Sequence, residues 1–337
     1  MADKNLNQNQ PDAEETSFNL ALYGAAGSLG QQIIVACEGE GIALETLIPV
    51  GSRLSIASDI SYQGKSWKVQ TPGSIQPSNL DAAVVATPQE SATELIQTLA
   101  SSGIFTIDAS GASHERFPLV WTVNNYDDAI DEAGGVTIPG PIASTVFPVL
   151  KKLADVGSIA SLNIVALMTA GSQGKAGPPT LSSQTLDLLN FRIPEVSELD
   201  GLLAFNLLPV NGSDSEHERS RTRRELTSLV PNIQPEQIQV QCLRVPVFSG
   251  IACALHVEFA EPLPESAFAT STTSQNEIVV GIPKAGLRES LEADTVLVSS
   301  IEQPTNRSIS CICFADPLHR TASTVGKMLQ LFAQEGL

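Results

Sequence analysis

Three glycines near the start of the chain have a spacing that could form a phosphate-binding turn. The segment Gly24–Gly30 stands directly between the apolar run Phe18–Tyr23 and a helical stretch. Glycine lets the backbone approach a pyrophosphate, and the following helix N-terminus offers free N–H groups and a positive dipole end. The spacing is Gly-x-x-Gly-x-x-Gly, so glycines that only allow close strand-helix packing are the alternative. We predict dinucleotide binding by Gly24, Ala25, Ala26, Gly27, Ser28, Leu29 and Gly30.

The residues after the second strand indicate which dinucleotide would bind. An acidic residue there accepts hydrogen bonds from a ribose 2′-hydroxyl, but this chain has Ser52 and Arg53. A guanidinium suits a 2′-phosphate through charge-assisted hydrogen bonds. We therefore predict that NADP is favoured over NAD, with a solvated surface role for Arg53 as the alternative.

The elements that must position this loop alternate between strand and helix. Short apolar runs at 18–23, 43–50, 82–86 and 105–108 are separated by helical stretches, which predicts a Rossmann-like, doubly wound parallel sheet in an α/β fold. Beyond residue 148 longer Val/Ile/Leu-rich strands indicate an α+β second domain. Within it, we expect a polar loop over 212–216 before a charged helix over 218–229. The predicted organisation is a disordered tail over 1–17, a dinucleotide-binding domain from 18–147 and 316–337, and a second domain over 148–315.

Composition excludes several classes of partner. The chain of 337 residues has 37 acidic and 19 basic residues, a net charge of −18. Such a charge argues against a nucleic-acid binder and against anionic membranes. No apolar run approaches the roughly 20 residues that span a bilayer, and Met1–Ser17 has no signal-peptide pattern. We expect a cytoplasmic protein.

The five cysteines do not suggest a disulfide framework. They are odd in number and lie in apolar segments, which is typical of buried thiols in a reducing compartment. We expect Cys311 and Cys313 to point to opposite faces of a strand, and we predict no metal site.

Several segments together resemble the aspartate-semialdehyde dehydrogenase family. Gly24–Gly30 is similar to its Gly-Ala-Thr-Gly-x-Val-Gly, Ile107–Gly111 to its Ile-Asp-Asn-Ser-Ser, and Gly174–Gly177 to its Gly-Lys-Ala-Gly. The block Arg244–Gly250 resembles Arg-Val-Pro-Val-x-x-Gly, and Ala204–Pro209 resembles Ala-Phe-Asn-x-x-Pro. The resemblance covers nearly all of residues 18 to 337. It implies NADP as cofactor and a second domain that binds substrate and forms a dimer through its sheet.

The two residues that perform the family's chemistry are replaced. The nucleophilic cysteine falls at Ala143 and the acid-base histidine at Ile251. A methyl group cannot act as nucleophile or leaving group, as a thiolate can. His256 follows Ile251 by five residues, an odd offset that places it on the opposite face of a strand. In this respect the chain resembles the Usg-type paralogues, which lack the cysteine.

Two basic residues of the resemblance remain as candidates for an anionic ligand. The family's counterpart of Arg244 holds the substrate carboxylate, and Lys175 stands in the segment similar to Gly-Lys-Ala-Gly. A structural ion pair for Arg244 and a solvated role for Lys175 are the alternatives.

Three functional hypotheses follow. The first is a homodimeric, nucleotide-binding member of the family without its dehydrogenase activity. The second is an NADP-dependent oxidoreductase of another substrate, for which Asp108 is the acid-base candidate. The third is a dimerisation partner of an active paralogue.

Overall fold

The computed structural model contains two sheets and the helices that cover them. It describes residues 17–56, 58–113, 115–122, 134–196, 201–210, 212–264, 278–280 and 286–335. The predicted tail lies outside the described residues, except for Ser17. Among the helices that the structure describes, none combines the length and hydropathy that a bilayer-spanning helix needs.

The first part of the chain forms a parallel sheet. Its strands are β1 Phe18–Tyr23, β2 Leu44–Val50, β5 Ala82–Val85, β6 Phe105–Asp108 and β7 Gly135–Thr137. They lie in the order β2-β1-β5-β6-β7, and each neighbouring pair is parallel. A separate antiparallel hairpin follows β2 and consists of β3 Asp59–Tyr62 and β4 Lys65–Lys68. The predicted Rossmann-like sheet is confirmed.

Helices pack on both faces of this sheet. They are α1 Ser28–Gly39, α2 Gln89–Ser101 and the last helix, α6 Pro317–Glu335. Leu20 and Leu22 of β1 enter one buried cluster with α1 and α6, whereas Ala21 and Tyr23 enter another with α2. Strands buried on both faces need apolar residues at consecutive positions, which explains the uninterrupted apolar runs in the sequence.

The second part of the chain forms a seven-stranded mixed sheet. Its strands are β8 Ile159–Met168, β9 Leu208–Pro209, β10 Ile238–Arg244, β11 Ile251–Phe259, β12 Ile278–Val280, β13 Val296–Thr305 and β14 Ser308–Ala315. The order is β12-β13-β14-β11-β8-β10-β9. Here β8 runs parallel to β10 and antiparallel to β11. It therefore has a parallel neighbour on one side and an antiparallel neighbour on the other.

One face of the mixed sheet packs on two helices in the largest apolar core. These are α3 Pro141–Ala154 and α5 Gly212–Leu229. A further helix, α4 Gly177–Leu189, leaves the sheet through a 3-10 segment at Ala170–Ala176. The domain boundary predicted after residue 147 falls inside α3, and the division into domains stays a prediction.

The structure corrects two local expectations. The segment 212–216, expected to be a loop, is the start of α5. Cys311 and Cys313 were expected on opposite faces, but both are buried in the same core, and their thiols are hydrogen-bonded. Residues two apart on a strand share a face, because side chains alternate with a period of two.

Candidate functional site

The glycine loop lies where the strand order of the parallel sheet reverses. β1 stands between β2 and β5, and ligands of open α/β sheets bind at the carboxyl ends of the strands at such a point. The N–H groups of Gly24 and Ala25 donate to Val50 O at 2.8 and 3.2 Å. These bonds hold the loop over the end of β2. The loop therefore stands at the position predicted for a pyrophosphate.

Close backbone approaches explain two of the three glycines. Gly24 has φ +87°, and a Cβ there would lie 2.3 Å from Ala86 O. A Cβ on Gly30 would lie 2.3 Å from Gly24 O. At Gly27 the nearest atom to an added Cβ is Gly24 O at 3.2 Å, and the residue is exposed. Gly24 and Gly30 thus form the turn, whereas Gly27 is exposed to solvent.

The start of α1 can receive an anion. Gly27 is the N-cap residue, no side chain among the described residues caps the helix, and its first turn contains no acidic residue. The first N–H groups of a helix have no intrahelical acceptors and carry a partial positive charge. Ser28 and Leu29 are half-buried beside the exposed Gly27, while Ala25 and Gly30 are buried.

The turn after β2 begins beside the glycine loop, because it follows Val50, whose carbonyl accepts the loop's hydrogen bonds. Ser52 and Arg53 are exposed directly after Val50 and Gly51. Ser52 O accepts hydrogen bonds from both the N–H and the hydroxyl of Ser55, each at 2.9 Å. This turn fixes the backbone on either side of Arg53 and leaves the guanidinium in solvent.

Two buried polar atoms follow β5 on the other side of the loop. Thr87 Oγ1 and Gln89 Oε1 have no hydrogen-bond partner within the described part of the chain. The backbone N of Thr87 would lie 3.3 Å from a Cβ on Gly24, so this segment borders the glycine loop. Buried polar atoms are normally hydrogen-bonded, and a ligand bound at the glycine loop would supply a partner.

The positions of the expected nucleophile and acid-base residue are part of the apolar core. Ala143 lies in the first turn of α3 and Ile251 begins β11; they are 0% and 2% exposed. Both belong to the large core between α3, α5 and the mixed sheet. The hydroxyls of Ser144 and Thr145 donate to Pro141 O at 3.1 and 2.7 Å. These side chains offer no activated nucleophile at this place.

The cysteines do not replace the missing nucleophile. All five are buried and free. Burial raises the pKa of Cys37 to about 12 and that of Cys242 to about 11, and burial also raises the pKa of Cys253. The thiolate is the reactive form, so these thiols are inert at neutral pH. Within the described residues, no group of three or more His, Cys, Asp and Glu side chains is arranged around a metal position.

Asp108 organises the loop that follows β6. Its Oδ1 accepts the N–H and the hydroxyl of Ser110 at 2.7 and 2.5 Å and the N–H of Gly111 at 3.2 Å. Its Oδ2 accepts the N–H and the hydroxyl of Ser113 at 2.8 and 2.6 Å. The side chain is fully buried. All five of these donors belong to the loop over residues 110–113, so the carboxylate fixes the loop, which suits a structural role better than proton transfer.

A buried ion pair beside α3 was missed by the sequence reasoning. Arg221 Nε donates to Glu225 Oε1 at 2.7 Å, and Glu225 Oε2 accepts the N–H of Gly140, the N-cap of α3, at 2.9 Å. Arg221 also donates to Ile138 O at 3.4 Å. Burial lowers the pKa of the guanidinium, but the Glu225 carboxylate has the opposite effect and the net pKa is raised. The only signal in the sequence was the i,i+4 spacing of Arg221 and Glu225, at the end of an arginine-rich run over 219–224.

The two candidate anion-binding residues lie after neighbouring strands. Arg244 is the half-buried last residue of β10 and pairs with Met168, the last residue of β8. Lys175 is exposed in the 3-10 segment that follows β8. The N–H groups of Ala170 and Gly171 donate to the carbonyls of Val247 and Phe248 at 2.8 and 2.9 Å. The segments that follow Met168 and Arg244 are thus joined.

His256 lies on the other face of β11, as its odd offset from Ile251 predicts. Its Nδ1 is 2.8 Å from Ser310 Oγ on β14, and its Nε2 is 3.7 Å from Glu258 Oε1. Ile251 belongs to the buried face, so the imidazole cannot reach the position that Ile251 occupies.

Comparison with known proteins identifies the relatives of the chain. The family model "Semialdehyde dehydrogenase, dimerisation domain" matches residues 150–318, just over half of the 337 residues. Aspartate-semialdehyde dehydrogenase 2 of Vibrio cholerae is 27% identical over 257 residues, 73% of this chain and 75% of that protein. The USG-1 protein homolog of Pseudomonas aeruginosa is 27% identical over 256 residues, 74% of this chain and 76% of that protein.

Solved structures agree with the fold. Aspartate semialdehyde dehydrogenase II of Vibrio cholerae, complexed with ASA, superposes with a TM-score of 0.83 at 22% identity, covering 96% of this chain and all of that one. The enzyme of Candida albicans with NADP gives 0.65 at 16% identity, covering 95% of this chain and all of that one. At such identities the likeness concerns the fold alone. The family model extends over α4, α5 and most of the mixed sheet. This match shows that the chain belongs to the semialdehyde dehydrogenase family.

Proposed function

We propose that this protein is a dimeric, NADP-binding member of the family that does not perform cysteine-dependent dehydrogenation. The observation that carries the proposal is the burial of Ala143 and Ile251 in one apolar core. Dehydrogenation through a covalent intermediate needs a nucleophile and a base within hydrogen-bond reach of each other. A methyl group and a sec-butyl group cannot supply either function.

The parallel sheet supports nucleotide binding. A loop formed by Gly24 and Gly30, an uncapped helix start and an exposed Arg53 offer contacts for a pyrophosphate and a 2′-phosphate. The buried polar atoms of Thr87 and Gln89 fit a polar ligand bordering the same loop. A bound nicotinamide dinucleotide supplies hydride chemistry, while these residues bind and orient it.

Calorimetry with NADPH and NADH tests the nucleotide site. Gly27→Asp places a negative charge at the helix start where the pyrophosphate would lie, and the added side chain meets only one backbone oxygen. Gly39→Asp is the matched control, because Gly39 ends the same helix and an added Cβ meets no atom within 4 Å. We expect tighter binding of NADPH than of NADH, loss of binding in the Gly27 variant, and unchanged binding in the Gly39 variant. Absence of binding to the unmodified protein would refute the proposed nucleotide site.

An activity assay tests the second half of the proposal. Reduction of NADP would be followed with aspartate semialdehyde and phosphate as substrates. We expect no turnover, because the required nucleophile is absent. Turnover at rates ordinary for enzymes, about 1–10³ s⁻¹, would overturn the proposal.

An anionic small molecule is proposed as a second ligand, bound by Arg244 and Lys175. The joined segments after β8 and β10 bring the two basic residues to the same end of the mixed sheet. Thermal-shift titration with phosphate and with a dicarboxylate tests this site. We expect stabilisation that Arg244→Met removes, whereas Arg307→Met, an exposed substitution near the β13–β14 turn, leaves it unchanged.

A homodimer is proposed because the matched family model is a dimerisation domain. Residues on the face of the mixed sheet opposite α3 and α5 include Val165, Leu167 and Ala254, which are only half-buried. An apolar sheet face of this kind suits an isologous contact between two copies. Sedimentation of the purified protein measures the association directly.

A further inference from the structure

Arg244 is the one charged residue in a row of strand ends at one edge of the mixed sheet. It pairs with Leu208, the first residue of β9, and with Met168, the last residue of β8. Met168 pairs with Ile251, which pairs with Ala315, the last residue of β14. Paired residues on neighbouring strands share a face, and the last three belong to the core that α3 and α5 cover. The half-buried Arg244 thus lies at the margin of that apolar core.

Three consecutive apolar residues are exposed close to Arg244 in the sequence. We call Pro246, Val247 and Phe248 the apolar run; only Val245 separates it from Arg244. The side chains of Val247 and Phe248 are 41% and 50% exposed. Single exposed apolar residues are common, but a run of three normally marks a functional surface.

Hydrogen bonds hold the apolar run in one conformation. The N–H of Val245 donates to Met168 O at 3.0 Å, and the N–H of Val247 donates to Val245 O at 2.8 Å. On the far side of the run, Thr169 Oγ1 donates to Gly250 O at 2.7 Å. Two further bonds, described above, join the run to the segment after β8. The surface is therefore fixed before a ligand arrives, which lowers the entropic cost of binding.

We propose that the ligand of Arg244 is an organic carboxylate with an apolar body, such as an alkyl or aromatic monocarboxylate. The inference rests on the anion site proposed above and names its ligand class. The carboxylate accepts paired hydrogen bonds from the guanidinium, while the apolar body lies on the apolar run. Inorganic phosphate and short dicarboxylates have no apolar body, so they bind more weakly.

The two basic residues of the site differ in a way that favours a single carboxylate. Arg244 is half-buried among apolar neighbours, and a charge-assisted hydrogen bond is stronger where water is partly excluded. Lys175 is exposed, and exposed charges add little to affinity. A second carboxylate on the ligand therefore gains little from Lys175, whereas each methylene that leaves water contributes to binding.

The ligand site and the proposed dimer contact lie on opposite faces of the mixed sheet. Arg244 shares the face of Met168, which the apolar core covers. Val165 and Leu167 alternate with the core residues of β8 and point to the other face. Binding of a carboxylate can therefore be measured independently of the association of two copies.

Calorimetric titration of the full chain with butyrate, hexanoate and octanoate tests the ligand class, with succinate and phosphate for comparison. We expect binding to tighten about two- to fourfold per added methylene, the upper value being that of full burial. Arg244→Met should abolish binding of all three monocarboxylates. Phe248→Ser should reduce the gain per methylene. Val35→Ser is the matched control, because Val35 is 60% exposed on α1, and it should leave that gain unchanged.

Each outcome of the titration supports or overturns the proposal. A gain per methylene that falls in Phe248→Ser and persists in Val35→Ser supports it. Binding of succinate or phosphate that needs Arg244, without any gain along the monocarboxylate series, overturns the apolar ligand class and leaves the anion site standing. A gain that persists in Arg244→Met shows unspecific apolar association and also overturns the proposal. Absence of binding by all five anions overturns both the ligand class and the anion site.

Discussion

At the scale of single residues, one buried carboxylate organises the start of α3. Glu225 binds both the guanidinium of Arg221 and the N–H of Gly140 at the start of α3. The carboxylate therefore neutralises a buried cation and caps the helix that begins with the nucleophile segment. Its role is positional, since it fixes both the guanidinium and the first turn of α3.

Removing the Glu225 charge alone should lower the free energy of unfolding far more than replacing both Arg221 and Glu225. Glu225→Gln leaves the Arg221 charge buried without compensation, so we expect a loss of about 3–5 kcal/mol in unfolding free energy. The double variant Arg221→Met with Glu225→Leu should lose much less, because no unpaired charge remains. Urea denaturation of the unmodified protein and of both variants measures the two losses, and a double variant that loses as much free energy of unfolding as Glu225→Gln would contradict this expectation.

The buried thiols provide a second test at the residue scale. Burial raises the pKa of Cys37, Cys242 and Cys253. In the folded protein these thiols should therefore stay protonated well above pH 8.5, the ordinary pKa of a free thiol. At pH 8 we expect slow reaction of the native protein with a disulfide reagent and rapid reaction of all five thiols after unfolding. A fast native phase of one equivalent would show that a cysteine is accessible and activated.

At the scale of elements, the turn between β1 and α1 depends on Gly30 more than on Gly27. A Cβ on Gly30 would approach Gly24 O to 2.3 Å, and this atom belongs to the backbone. Gly30→Ala should therefore cost about 1–3 kcal/mol of stability, while Gly27→Ala should change stability by less than about 0.5 kcal/mol. Equal losses in thermal or urea unfolding would mean that Gly30 does not pack against the backbone of Gly24.

At the scale of the whole molecule, self-association and ligand binding should both raise the measured stability of the folded protein. Because a dimer unfolds to separated chains, the thermal midpoint should rise with protein concentration, and NADPH at about a hundredfold its dissociation constant should add about 2.7 kcal/mol. Differential scanning calorimetry over a hundredfold range of protein concentration measures the first effect. A midpoint independent of concentration would speak against the dimer.

Much of the fold follows from the sequence because it depends on local patterns. Uninterrupted apolar runs predicted the buried strands of the parallel sheet, and the strand Phe18–Tyr23 followed by three glycines predicted the turn at its end. The start of α5 was missed because Gly212 and the polar residues after it have a weak helical signal. The positions Ala143 and Ile251 were singled out by the resemblance of the surrounding segments to those of a known family.

Contacts between distant segments could only be established in three dimensions. The pairing of Glu225 with Gly140 joins residues 85 positions apart, and no local pattern encodes it. The shared face of Cys311 and Cys313 follows from strand alternation, but their place in the same core as Ala143 depends on how α3 packs on the mixed sheet. Residue types and short periodicities determined the strands and helices of the parallel sheet. Burial and charge pairing depend on which distant segments meet, and tertiary packing alone decides that.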